Sequence, residues 1–375
     1  MSARTLHPRA AERPVKMDDT TRLRPDLEPN DVQRPEQGSE QGAVVAARAR
    51  DAVNPAVYAA LDLGTNNCRL LIAAPTGDSF RVIDSFSRII RLGEGVSTSG
   101  VISDAAINRA ISALSICRDK IRTRDATRLR LIATEACRAA SNSDEFLSRV
   151  AEATGITLEI IDRETEAGLA VIGCSPLIDP KGRGAILFDI GGGSSELVRI
   201  ERDAADPNGR PLIKAWMSIP LGVVTLAEKF GGKNVTRDSY ALMIAEVAQH
   251  VAPFAAEHGV DLEGMHLLGT SGTVTTLAGI HQGLLRYDRR RIDGIWLDNA
   301  ELDATITKLM GLSYAERAAN QCIGPDRADL VLCGCAILDA IRAVFPLPRL
   351  RVADRGLREG MLVEMMREDG VIRTT

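Results

Sequence analysis

The 375-residue chain carries 46 basic and 50 acidic side chains, a net charge of −4, and is 45% hydrophobic and 26% charged, the balance of an ordinary globular protein. No global field draws such a chain to nucleic acid or anionic lipid, and no apolar run nears the ~18 residues of a bilayer span, so neither nucleic acid nor membrane is expected as a partner. Seven scattered cysteines without a CxxC pair exclude a disulfide framework and a zinc ribbon and point to a reducing cytoplasm.

Residues 1–55 hold six of the 16 prolines, nine basic and nine acidic residues and no aromatic. That stretch buries too little apolar surface to offset its ordering entropy and reads as a disordered tail. From Val57 apolar runs alternate with helical periods, the pattern of an α/β protein. Strands are predicted over Val57–Leu63, Arg69–Ala74 and Phe80–Leu92, then a Ser-capped helix over Ser103–Arg122 and a strand over Leu129–Thr134. A helix over Ser143–Ala153, a strand over Leu158–Ile161 and a helix over Glu164–Cys174 follow. A second cycle opens with strands over Ala185–Asp189 and Glu196–Ile200 and helices over Val223–Phe230 and Ser239–Glu257. It continues with a strand over His266–Gly269 and helices over Thr273–Leu285 and Asn299–Met310. In Arg327–Phe345, Leu330, Cys333, Ile337, Ile341 and Val344 recur at helical spacing, which predicts a helix with one buried stripe. A strand over Leu350–Ala353 and a helix over Leu357–Arg367 close the chain.

Two segments of this pattern are one device used twice. YAALDLGTNNC (Tyr58–Cys68) and ILFDIGGGSSE (Ile186–Glu196) each run strand, Asp, apolar residue, Gly, polar turn, strand. Such hairpins use Gly for a positive φ or for close backbone approach, and their converging N–H groups form a nest for an anion. The strand-end Asp faces the same anion, which requires a divalent cation or a water between them. The repeat suggests two similar domains about one cleft, at 56–170 and 171–375. Gly269-Thr270-Ser271-Gly272-Thr273 follows a buried strand and opens a helix, a further anion site at a positive helix end. Thr134–Arg138 ends another strand and offers the guanidinium of Arg138, while Arg88 and Arg91 flank the third strand. These three arginines and the Arg289–Arg291 run are the candidate contacts for a polyanion. Glu166, in the acidic first turn of a helix beside the cleft, is a candidate general base. No GxxxxGK[ST], no strand-linked GxGxxG, no GxSxG and no HExxH occurs, which argues against P-loop, dinucleotide, serine-hydrolase and zinc-protease chemistry.

DLGTNN, ATEACR (133–138), DRETEAGL (162–169), FDIGGGSSEL (188–197), IPLGVVTL (219–226), GTSGT and GLREGML (356–362), in this order, resemble the Ppx/GppA family of exopolyphosphatases and guanosine pentaphosphate phosphohydrolases, a branch of the actin-like ATPase superfamily. The resemblance implies two ribonuclease-H-like domains flanking a cleft, a likeness that runs from about Val57 onward, and a homodimer. It implies Glu166 as general base, Asp189 and Glu196 as ligands of Mg²⁺, and Arg138 on substrate phosphates. Asp62, Gly64, Thr65, Asn66, Asn67, Gly191, Gly192, Gly193, Ser194, Gly269, Thr270, Ser271, Gly272 and Thr273 would line the phosphate loops. The substrates implied are inorganic polyphosphate and pppGpp. The sequence ends soon after GLREGML, so the C-terminal helical domains of the long exopolyphosphatases are not expected. Two other readings stay open: a small-molecule kinase of the same superfamily and a non-catalytic (p)ppGpp sensor.

Overall fold

A computed structural model of the chain describes residues 56–203, 205 and 210–373; the predicted tail over 1–55 lies outside them. Among the described residues eleven strands form two sheets. The first contains β1 (Tyr58–Leu63), β2 (Asn67–Thr76), β3 (Ser79–Ile89), β4 (Arg128–Ala133) and β5 (Glu159–Ile160) in the order β3-β2-β1-β4-β5. Its helices are α1 (Val96–Ser99), α2 (Asp104–Thr123), α3 (Glu135–Ala139), α4 (Ser143–Thr154) and α5 (Arg163–Cys174). The second sheet contains β6 (Gly184–Ile190), β7 (Ser195–Glu201), β8 (Leu212–Ile219), β9 (Met265–Thr270), β10 (Trp296–Asp298) and β11 (Arg349–Ala353) in the order β10-β11-β9-β6-β7-β8. With it run α6 (Val223–Phe230), α7 (Arg237–His258), α8 (Gly272–His281), α9 (Arg289–Ile292), α10 (Asn299–Met310), α11 (Tyr314–Ala319), α12 (Val331–Val344) and α13 (Leu357–Glu368).

The duplication suspected from two loops extends to whole sheets. β1 pairs antiparallel with β2 and parallel with β4, and β6 pairs antiparallel with β7 and parallel with β9. The order β8-β7-β6-β9-β11 therefore repeats β3-β2-β1-β4-β5, with β10 added at one edge. This is the ribonuclease-H-like arrangement in two copies. The central strands β1 and β6 are buried nearly throughout, as strands covered on both faces must be.

Local chemistry accounts for the helices. The Ser103 hydroxyl accepts from the Ala106 amide at 3.3 Å, and Ala106, Ala110, Ala113, Leu114, Cys117 and Ile121 line one buried stripe of α2. The Asp162 carboxylate accepts from the Thr165 amide at 2.7 Å and sets the first turn of α5. Two helices cross over. α5 buries Ala167, Ala170, Val171 and Cys174 against Ala185, Leu187 and Val198 of the second sheet. α13 buries Met361, Leu362 and Met365 against Tyr58, Ala60 and Leu71 of the first. The two helices touch along glycines: a Cβ at Gly173 would lie 2.0 Å from the Gly356 carbonyl oxygen, and one at Gly360 2.0 Å from that of Leu169. The boundary drawn at 170/171 falls within α5.

The stripe predicted for 327–345 is too narrow. In α12, Val331, Leu332, Cys335, Ala336 and Leu338 are buried as well as Cys333, Ile337 and Ile341, because the helix lies inside the second core between α7 and α8. β8 was not predicted. It is an edge strand exposing Leu212, Ile213 and Trp216, so its sequence lacks the alternation that marks a half-buried strand. Among the described residues no helix is long and apolar enough to cross a membrane.

Candidate active site

The two hairpin loops open into one cleft of about 830 Å³ between the sheets. In the first, the Gly64 amide donates to the Asn67 carbonyl at 2.9 Å, and the Asn66 and Thr65 carbonyls accept from Ile90, Arg91 and Gly93. In the second, Gly191 donates to Ser194 at 3.0 Å, while the carbonyls of Gly191 and Gly192 accept from Val223 and Val224 at the start of α6. The N–H groups of Gly192 and Gly193 have no acceptor among the described residues and border the cleft.

The glycines are needed for proximity. Gly64 and Gly191–Gly193 do not have positive φ, which corrects the expectation of left-handed turns at these positions. A Cβ at Gly192 would lie 2.9 Å from Cβ of Thr65 and 3.2 Å from the Asn66 nitrogen, so the loops of the two repeats meet backbone to side chain. Gly192→Val is therefore expected to push the loops apart. A loss of about 10²-fold in turnover, the order seen when an anion-hole donor is displaced, should accompany a modest drop in melting temperature. Near-native kinetics in that variant would show that the loop contact is unnecessary.

Seven acidic side chains line this space, and four of them are Asp62, Glu166, Asp189 and Glu196, the acids singled out in the sequence. Asp62 ends β1 and Asp189 ends β6; Glu196 is the register partner of Asp189 on β7, and Glu166 projects from the first turns of α5. Burial pushes Glu166 up to about 8, with the Glu196 charge adding to it and Arg138 offsetting part. Burial likewise pushes Asp189 to about 7, partly offset by Arg69, and Glu196 to about 7, with Asp189 adding. Asp62 is raised for the same first reason, and Arg69 and Arg358 oppose the shift. Hydroxyls of Ser194 and Ser218 donate to Glu196 Oε1 at 2.8 and 2.9 Å and orient it.

Such an excess of buried negative charge suits a hard divalent cation. Among the described residues no group of three or more His, Cys, Asp or Glu side chains forms a metal cage. That donor set fits Mg²⁺, which takes one or two carboxylates and completes its shell with water and substrate phosphate oxygens; Asp189 and Glu196 have the position and chemistry to hold it.

The predicted cations are distributed differently from expectation. Arg138 does not line the cleft. Its Nη2 donates to Glu166 Oε2 at 2.7 Å, its Nε to Glu135 Oε2 at 3.0 Å and its Nη1 to the Ile161 carbonyl at 2.7 Å, so it holds the candidate base. Arg91 makes a two-point pair with Asp329, at 3.0 Å to each oxygen. Arg88 is exposed, lies against the Phe86 ring and Ser112, and does not line the cleft. Arg289 reaches the cleft but is held by Glu359 at 2.9 Å, and Arg290 and Arg291 are exposed.

Of the GTSGT segment, Thr270, Ser271, Gly272 and Thr273 line the cleft. The Ser271 hydroxyl already accepts from the amides of Thr273 and Val274 at 3.1 and 3.0 Å, so the end of α8 is capped internally. Gly269 does not line it: a Cβ there would lie 2.5 Å from the Phe188 ring, which makes it a packing glycine. Sequence reasoning missed Arg69, Arg327 and Arg358, which do line the cleft. Arg69 carried a usable signal, since it follows Cys68 at the spacing that places it opposite Asp62 on one sheet face.

Residues 71–369 match the model of the Ppx/GppA phosphatase family. The chain is 28% identical to exopolyphosphatase 2 of Mycobacterium tuberculosis, over 82% of this chain and 98% of that one. It is 27% identical to the guanosine-5'-triphosphate,3'-diphosphate pyrophosphatase of Aliivibrio fischeri, over 86% of this chain and 62% of that one. Its fold superposes on the Ppx/GppA family member of Aquifex aeolicus with a TM-score of 0.69 at 27% identity, covering 84% of this chain and 98% of that structure.

Proposed function

Because the chain belongs to the Ppx/GppA phosphatase family, we propose that it is an exopolyphosphatase and pppGpp phosphohydrolase that releases orthophosphate from the end of a phosphoanhydride chain. The observation that carries this reading is the meeting of two repeated glycine loops beside a buried glutamate with a raised pKa. Free amides of Gly192 and Gly193 suit the transferring phosphoryl oxygens, where preorganised donors lower the barrier most. Glu166 Oε2 is held by Arg138, which leaves Oε1 to orient water and take its proton. A carboxylate raised toward 8 is a stronger base than an ordinary glutamate. Mg²⁺ on Asp189 and Glu196 would, when bound, offset charge on the phosphoryl and its leaving group. The same reading has the protein working as a homodimer in a reducing cytoplasm; all seven cysteines are free and buried, which supports that compartment.

The test is phosphate release from tripolyphosphate, long polyphosphate, pppGpp and ATP, side by side, with no acceptor added. Release from polyphosphate or pppGpp is expected, and the relative rates rank the substrates. ADP formed only when an alcohol acceptor is supplied would favour a kinase, and tight binding with no release from any of the four would favour a sensor.

A further inference from the structure

The two glycine loops meet by contact alone. Among the described residues no hydrogen bond or ion pair joins residues 64–67 to residues 191–194, although a Cβ at Gly192 would stand 2.9 Å from that of Thr65. Such contact resists compression but holds weakly against separation. The hydrogen bonds that hold each loop come from behind it. A strap over residues 90–99, which follows β3, holds the first: the Asn66 carbonyl accepts from the amides of Ile90 and Arg91 at 2.9 and 3.0 Å, and the Thr65 carbonyl from that of Gly93 at 2.9 Å. Arg109 of α2 fixes the strap to its own half by donating to the carbonyls of Ile90 and Arg91 at 2.6 and 3.0 Å. The start of α6 holds the second loop through the amides of Val223 and Val224.

Two links tie the strap to the second half of the chain. Arg91 donates to both carboxylate oxygens of Asp329, just ahead of α12, at 3.0 Å each, and to the Asp326 carbonyl at 3.1 Å. Glu228 of α6 accepts from the Gly95 amide at 2.8 Å and from the Ser97 hydroxyl. Apart from the contacts of α5 and of the chain from α13 onward, no other hydrogen bond or ion pair joins residues 56–162 to residues 184–356 among the described residues. The Arg91–Asp329 pair is the stronger link, because its side chains are 33% and 15% exposed whereas Glu228 lies in solvent. The backbone of Arg91 supplies a second signal. Its φ is 47°, in the left-handed region that Gly and Asn tolerate best. An arginine held there contributes through its guanidinium, and backbone strain of this kind clusters where geometry serves a site. Arg91, Asp329 and Glu228 do not line the cleft, so any effect on the reaction passes through the loops.

We propose that Arg91 and Asp329 are positioning residues: their ion pair, with Glu228 beside it, fixes the spacing of the two glycine loops and so the aim of the Gly192 and Gly193 amides. The inference rests on the hydrolase reading for the reaction whose rate the tie sets, but not for the tie itself. Amide donors lower a barrier only when they are preorganised, so slack between the loops costs turnover more than ground-state binding. Arg91→Gly separates this role from plain stabilisation. It removes the guanidinium yet suits the left-handed backbone, so the melting temperature should stay close to native.

The experiment compares the full-length wild type with Arg91→Gly, Arg91→Lys, Asp329→Asn and the Gly/Asn double variant. Steady-state phosphate release from tripolyphosphate is measured beside backbone hydrogen exchange read by mass spectrometry. Arg91→Gly and Asp329→Asn are each expected to lower kcat about tenfold, less than the ~10²-fold cost of misplacing a group by about 1 Å, because the α5 and α13 contacts remain. KM should move less than about threefold. The double variant should be no slower than either single one, since both break one link, and Arg91→Lys, which keeps the charge but loses the fork, should regain part of the rate. Exchange over residues 90–95 and 191–195 should quicken about tenfold, the order for a lost hydrogen bond to a charged group, while that of β1 and β6 stays native. Native kcat in Arg91→Gly or Asp329→Asn would overturn the tie. So would losses that multiply in the double variant, or a slowed variant whose exchange quickens throughout the chain, the result of a merely structural pair. If strap and loops loosen as expected while the wild type releases phosphate from no phosphoanhydride, the hydrolase reading fails and the tie stands.

Discussion

Glu166→Gln is expected to slow phosphate release by about 10²–10⁴-fold, the usual contribution of a general base, while leaving tripolyphosphate binding near native. The amide keeps the shape of the side chain and a carbonyl oxygen for Arg138, so the loss falls on proton removal from water. The pH profile carries the same assignment. The base works as a carboxylate, and burial holds its proton on up to about 8. The native kcat/KM should therefore climb with pH through the neutral range and level off above about 8. Arg138 favours the charged form of Glu166, so Arg138→Met is expected to move that rise to higher pH. A Gln variant with near-native turnover, or a native profile flat from pH 5 to 9, would remove Glu166 from the role.

Asp189→Asn is expected to abolish stimulation by Mg²⁺ and to lower activity at saturating Mg²⁺ by about 10²-fold or more, since a metal ion at a phosphoryl group contributes several kcal/mol. Stability supplies an independent readout. Asp189 and Glu196 sit near 7 against ordinary values of 3.8 and 4.5. The folded state thus holds more protons than the unfolded chain between about pH 4 and 7 and loses stability as pH rises through that window. At pH 8 both carboxylates are charged at full cost, and a cation that binds them should raise the melting temperature. The Asn variant should begin with a higher melting temperature in chelator and gain less from Mg²⁺. Undiminished Mg²⁺ stimulation in the variant would sink the metal assignment, whatever happens to the overall rate.

Both predictions draw on residues that were legible before the fold was known. Asp62, Asp189, the glycine loops and Glu166 sit at the ends of strands or the start of a helix, and their neighbours mark those ends by a change of period within a few residues. The hairpin register that brings Asp189 opposite Glu196 follows from the short loop alone. Gly269 was misassigned because a glycine that contacts a phosphate and one that makes room for the Phe188 ring look the same in one dimension.

The amino-acid sequence by itself determined the two α/β repeats, their paired glycine loops and the acids beside them, because each is a local pattern of period, turn chemistry and side-chain type. Only the tertiary structure decided which arginines are available to a polyanion. Arg91 is taken by Asp329, 238 positions away in the chain, and Arg138 by Glu166, 28 away, whereas Arg69 makes no ion pair among the described residues and acts on Asp62 and Asp189 only through space. A guanidinium's role depends on whether a carboxylate lies within about 4 Å of it, and that distance is set by how the two sheets close on one another.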